Sequence, residues 1–162
     1  MEEYLSTSYR PDCEYVDGMV LKRNLGEHDH STLQTDIAAF LSMHKKEWGI
    51  QVYVEQRVQV TSRRFRVPDV CVVVGARPRE QIFTHPPFLC IEILSKDDRM
   101  SEMQERINDY LAFGVKHVWV VDPRSRRAYM HTVEGSRETK DGMLRTTTPD
   151  IAVPLAEMFA EL

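Results

Sequence analysis

The run Phe88–Ser95, FLCIEILS, has the composition of a strand buried on both faces, yet Glu92 sits in its middle. Upstream, RVPDVCVVV carries Asp69 into a second apolar run. An ionised carboxylate in such surroundings costs several kcal/mol or more unless something pairs with it. Two acids on adjacent strands of one sheet have a simple joint explanation. A hard cation, Mg2+ or Mn2+, takes oxygen ligands and converts the repulsion between them into shared attraction. Held there, it would act as a Lewis acid and activate water. A local explanation stands beside it: Pro-Asp is a common turn dipeptide, and a nearby arginine can pair with Glu92. The residues alone leave both open.

Other chemistry-bearing residues give plainer readings. His28-Asp29-His30 has the spacing of a transition-metal pair, but capping of a helix start by Asp29 or Ser31, with His28 exposed, is favoured. Asp122 before Pro123 reads as a turn-former, and Trp48 and Trp119 as core or interface residues. Cys13, Cys71 and Cys90 are odd in number and lack zinc-ligand spacing; Cys71 and Cys90 lie in apolar runs as small hydrophobes. That usage points to a reducing, cytoplasmic setting. Twenty-one basic and twenty-five acidic residues give a net charge of −4, so no global field draws the chain to nucleic acid. Local clusters could: Arg63, Arg64 and Arg66, then Arg77 and Arg79, then Arg124, Arg126 and Arg127. Solvated loops and strand ends are the alternative for each.

The elements that must position the two acids follow from periodicity. CEYVDGMVLKR alternates around Asp17-Gly18 and predicts a hairpin. STLQTDIAAFLSMHKKEWG sets Leu33, Ile37, Phe40, Leu41 and His44 at helical spacing, with Ser31 and Gln34 as a capping box and Gly49 as the stop. IQVYVEQRVQV alternates throughout and predicts one strand with a wet face. The strands carrying Asp69 and Glu92 come next. Met100, Met103, Ile107, Tyr110 and Leu111 then form a helical stripe closed by Gly114. KHVWVVD predicts a buried strand, RRAYMHTV and GMLRTTTP a hairpin, and PLAEMFAEL a short closing helix. The order β-β-α-β-β-β-α-β-β-β-α predicts an α/β fold, a mixed central sheet flanked by helices, with a right-handed crossover between the Glu92 strand and KHVWVVD. At 162 residues, 42% hydrophobic and 28% charged, the chain fits one domain, residues 1–162. The N-terminus MEEYLSTSYR is polar and acidic, unlike a signal peptide, and no apolar run reaches the length of a membrane span.

The ordered set EYVDG, His30-Ser31, VPDVCVVV, PPFLCIEILS and RINDYLAFGVKHVWVVDP resembles the Uma-type endonuclease branch of the PD-(D/E)XK superfamily, across about residues 13–133. The resemblance implies a restriction-endonuclease-like fold, with Asp69 and Glu92 as ligands of Mg2+ or Mn2+ and the Ile93 carbonyl as a third oxygen. It implies that Glu14 and His30 border the site. It departs at the superfamily's ExK lysine, because Leu94 occupies that position. In this branch the lysine often moves to the crossover helix, four residues before a tyrosine, and here that position is Arg106. An arginine stays charged, so it cannot be a general base, but it can hold phosphate or stabilise developing charge. Lys96 is the other cationic candidate, and Gln104 is placed to reach the site from the helix. The implied activity is metal-dependent hydrolysis of DNA phosphodiester bonds by Asp69, Glu92 and Arg106 or Lys96. Cutting two strands implies a homodimer, for which the apolar AYMHTV offers surface. Two other functions fit the same residues: a nucleic-acid-binding module that has lost catalysis, and a structural homodimer whose acids pair internally.

Overall fold

The computed structural model describes residues 1–24 and 26–162. In chain order the elements are α1 (Glu2–Ser6), β1 (Cys13–Val16), β2 (Met19–Lys22), α2 (His28–Met43), α3 (Lys45–Trp48), β3 (Ile50–Val54), β4 (Val58–Thr61), β5 (Arg64–Arg66), β6 (Val70–Val74), β7 (Leu89–Ile93), α4 (Met100–Phe113), β8 (His117–Asp122), β9 (Arg127–Thr132), β10 (Gly135–Glu138), β11 (Met143–Arg145), β12 (Ala152–Pro154) and α5 (Leu155–Met158). Six strands in the order β10-β9-β8-β7-β6-β3 make the central sheet. It is mixed: β7 and β8 run parallel, joined through α4, while the other neighbours are antiparallel.

Alternation along β6 and β7 feeds two cores. Val70, Val72, Leu89, Ile91 and Ile93 face α2, where Leu33, Ile37 and Leu41 meet them, and β11, β12 and α5 complete that layer. Cys71 and Cys90 face the other way, onto Met103, Ile107 and Tyr110 of α4 and onto Val58 and Val60 of β4. Each fully buried Leu, Ile or Val contributes about 1.5–3 kcal/mol. Glu92 follows Cys90 by two residues, so it projects to the α4 side. Gly114 ends α4 at φ 113°, a conformation that favours glycine, and an added Cβ would press on the Pro86 ring at 3.3 Å.

Four expectations are corrected. The alternating run 50–60 is two strands, not one, because Glu55 adopts φ 49° and sends β4 into a second, four-stranded sheet of order β2-β1-β5-β4. Helix α2 begins at His28 with Glu27 before it and no side-chain cap, so neither Asp29 nor a Ser31–Gln34 box caps it. The β9 run pairs with β10, and β11 pairs with β12, replacing the expected hairpin between them. Ala128–Thr132 of AYMHTV therefore lie inside the sheet between β8 and β10, with Ala128, Met130 and His131 buried, and only Val133, past the strand end, is strongly exposed. Among the described residues, no helix is long and apolar enough to cross a membrane.

Candidate active site

Strands β6 and β7 pair with Val70 opposite Ile91, so one further step brings Asp69 opposite Glu92 at the sheet end where β7 finishes. The Asp69 carboxylate has partners on both oxygens. Its Oδ2 accepts the Ile93 amide at 2.7 Å and faces His30 Nε2 at 3.3 Å, and its Oδ1 accepts the Arg23 guanidinium. Its carbonyl accepts Gln34 Nε2 at 3.1 Å and the Glu55 amide at 3.2 Å. The turn of chain at Glu55 is thus tied to the acid. Burial alone would raise Asp69, but the His30 hydrogen bond, the Arg23 charge and the Ile93 amide hold it below the usual carboxylate range.

Glu92 is the opposite case. Tyr110 Oη donates to its Oε1 at 2.6 Å, and among the described residues no cationic side chain pairs with it directly. Burial, and then the charge of Asp69, push it up to about 8 against the weaker pull of Arg106 and Arg23. His30 is raised because the hydrogen bond and charge of Asp69 outweigh its burial. The tyrosine is pushed up by burial and by Glu92.

Between the acids lies a cavity of about 20 Å³, walled by Arg23, His30, Asp69, Glu92, Ser95 and Arg106. That is room for one water-sized occupant. Ser95 Oγ is buried on this wall with no hydrogen-bond partner among the described residues. Two carboxylates and an uncommitted hydroxyl supply oxygen donors, which fit a hard divalent cation, while His30 on the same wall already faces Asp69. Among the described residues no three His, Cys, Asp or Glu side chains converge as a ready-made cage. Mg2+ needs none, since it binds through one or two carboxylates and completes its shell with water and phosphate.

The family whose description reads "Putative restriction endonuclease", Uma2, matches residues 1–156. The chain belongs to the Uma2 family. A solved structure described as a putative nuclease belonging to DUF820, from Anabaena variabilis, superposes with a TM-score of 0.84 at 21% identity. The match covers 98% of this chain and 96% of that one. At that identity it shows the fold alone, and the Uma2 family supports a nuclease role. No curated protein matches the chain.

Of the residues singled out in this Uma2 sequence, the structure brings Asp69, Glu92, Ile93, His30 and Arg106 to one cavity. Arg106 arrives from α4, sharing the face of Met103 and Tyr110, with Nε 3.3 Å from Glu14 Oε2 and a terminal nitrogen 3.6 Å from Asp98 Oδ1. Glu14 lies one step out. It accepts Arg66 at 2.7 Å and the Val67 amide at 3.2 Å. Lys96 is not brought in; its Nζ sits 2.5 Å from Glu27 Oε1 on the surface. Gln104 is exposed and donates to Asn108 at 2.9 Å. The Arg63–Arg66 cluster is no open cationic patch. Arg66 is buried against Glu14 and Asp109, and Arg64 pairs with Asp17, Glu105 and Asp109, leaving Arg63 exposed.

Arg23, Ser95 and Asp98 reach the site without having been singled out by the sequence. Asp98 takes the Ser95 amide at 2.7 Å, folding the loop after β7 over the cavity, and the SKDD run of turn-forming residues is the one local signal for it. Nothing local signals Arg23. Its position depends on where the β1–β2 hairpin returns the chain.

Proposed function

We propose that this chain is a divalent-cation-dependent endonuclease that hydrolyses DNA phosphodiester bonds. Asp69 and Glu92 would hold Mg2+ or Mn2+, with the Ile93 carbonyl as a further oxygen. The single observation behind this reading is Glu92: a fully buried carboxyl facing Asp69 across a cavity of one-ion size, with a tyrosine hydroxyl as its only direct partner among the described residues. When bound, the cation supplies charge to polarise the scissile phosphate and to activate water. The chain's own residues do the rest. Tyr110 orients Glu92, and His30 and the Ile93 amide orient Asp69. Arg106, fixed by Glu14 and Asp98, presents positive charge where the phosphate's negative charge grows.

A homodimer belongs to the same proposal. Edge strand β2 exposes Met19, Val20 and Leu21 and, among the described residues, pairs on one side only, so a second copy can pair with its other edge across a two-fold axis. A monomer by light scattering at high concentration would leave nicking of single strands as the activity.

The test is calorimetric and thermal titration with Mg2+ and Mn2+, alongside cleavage assays on supercoiled, linear and branched DNA. Cation uptake with cleavage supports the proposal. Absence of both for wild type ends it. A second reading rests on one observation: Leu94 packs into the α4-side core and Lys96 pairs with Glu27, so among the described residues no lysine amine reaches the cavity. On that reading the chain binds DNA without cutting it, and cation-dependent binding without cleavage is its signature.

A further inference from the structure

Arg23 lines two cavities. On its inner side is the 20 Å³ space between Asp69 and Glu92; on its outer side is a cleft of about 460 Å³ lined by Ser8, Tyr9, Arg10, Asn24 and Glu55. The main chain is anchored, since the Arg23 amide donates to the Asp12 carbonyl at 3.2 Å. The side chain spans an inner and an outer acid. One terminal nitrogen rests on Asp69 Oδ1, and the other lies 3.7 Å from Glu55 Oε1, whose side chain is half-exposed.

This arginine and a divalent cation compete for Asp69. Its Oδ2 is committed to the Ile93 amide and His30, so Oδ1 is the oxygen left for a metal, and the guanidinium occupies it. A cation bound to oxygen at roughly 2.0–2.6 Å would meet a second positive charge on the same atom. Arg106 raises no such conflict, because its direct partners are Glu14 and Asp98.

Resting on the function proposed above, we infer that Arg23 is a resident counter-cation of the acid pair. Incoming metal displaces it toward Glu55, and it then binds a phosphate of the substrate strand in the outer cleft. The swing is short, because Glu55 already stands beside the guanidinium. At the rim of a cleft with the volume of a small-molecule site, a planar fork of donors matches a phosphodiester, and the cleft has room for about one nucleotide unit.

The experiment measures Mn2+ affinity by calorimetry for wild type, Arg23→Gln and Arg23→Lys, and the affinity of a short DNA duplex in Ca2+. Removing a competitor that occupies the site most of the time tightens apparent cation affinity by about tenfold or more. Arg23→Gln should therefore bind Mn2+ about tenfold more tightly and DNA about tenfold more weakly than wild type. Arg23→Lys, with one point charge and shorter reach, should bind Mn2+ several-fold more tightly, and it decides the matter if the glutamine variant does not fold. Equal or weaker Mn2+ affinity in the variants, with wild type binding the ion, overturns the role of Arg23 and leaves the metal site standing. Uptake by the variants alone supports a blocking arginine. Uptake by none overturns both readings.

Discussion

Glu14 and Glu92 are both 2% exposed, and both feel the charge of Arg106, yet they are built for different ends. Glu14 is satisfied on every side: Arg66 at 2.7 Å, Arg106 at 3.3 Å and the Val67 amide at 3.2 Å. Its partners are themselves shared, because Arg66 also holds Asp109 and ties β5 to α4. Glu92 receives one tyrosine hydroxyl and faces another acid. Burial of a carboxyl therefore does not by itself signal a cation site. What separates the two is the supply of positive charge, complete within the chain for Glu14 and short for Glu92.

The sharpest way to break that comparison is to remove the satisfied member. Glu14→Ala leaves Arg66 buried without its main partner, so stability should fall by about 3–5 kcal/mol, measured by urea denaturation, with or without Mg2+. A loss under about 1 kcal/mol would mean that the network does not hold the four-stranded sheet to α4. Glu92→Gln should behave in reverse. It removes no ion pair, so the metal-free protein should keep its stability or gain slightly. At a cation concentration of about 100 times Kd the wild type should gain about 2.7 kcal/mol if it binds as proposed, and the variant well under half of that. Equal gains in thermal-shift titration would remove Glu92 from the ligand set.

Arg106 belongs to both regions, which makes it the test of how they are joined. Arg106→Lys keeps a charge beside Glu14 and should retain cleavage, whereas Arg106→Ala should lower the rate by about 10²–10³-fold while Mn2+ still binds. Loss of Mn2+ binding in the alanine variant would show that the arginine holds the acids in place and does not serve the phosphate. A smaller change comes from Tyr110→Phe. Without the hydroxyl, Glu92 loses its orienting donor, and cation affinity should weaken by about 10–100-fold, read by calorimetry, with the α4 packing preserved.

How much of this was legible in the sequence differs between the two regions for physical reasons. Asp69 and Glu92 announce themselves because an acid inside an apolar run is conspicuous, and their strands are long enough to be read from composition. Arg106 entered through the family resemblance, and helical periodicity agrees with it by setting Arg106 three residues after Met103 and four before Tyr110. Glu14 entered only through family resemblance, and its partner Arg66 stands in the sequence as part of a candidate nucleic-acid cluster or a solvated strand end. A strand as short as β5 has too few residues to show its alternation, so the inward turn of Arg66 leaves no pattern. The break at Glu55 was hidden for a related reason. Valines keep their alternation on both sides of it, and only the Glu55 amide's bond to the Asp69 carbonyl shows why the chain turns there. Arg23 depends wholly on tertiary return and left no local trace.

The smallest effect is expected at Lys96, and it sharpens the comparison by supplying a cation that neither region uses. Lys96 follows β7 closely enough in sequence to have been a candidate for the missing lysine. The structure turns it outward, with its ammonium 2.5 Å from Glu27 and its side chain 59% exposed. A solvated pair of this kind adds little to stability, because water and salt screen it and both long side chains lose freedom in making it. Lys96→Ala should therefore shift the melting temperature by under about 2 °C and leave Mn2+ affinity unchanged. The informative measurement is the cleavage rate across a salt series. If Lys96 only decorates the rim, the variant and the wild type should lose rate in parallel as salt rises. A large rate loss at low salt with unchanged Mn2+ binding would place the ammonium on the substrate, freed from Glu27 when DNA arrives, and would return to Lys96 the role assigned here to Arg106.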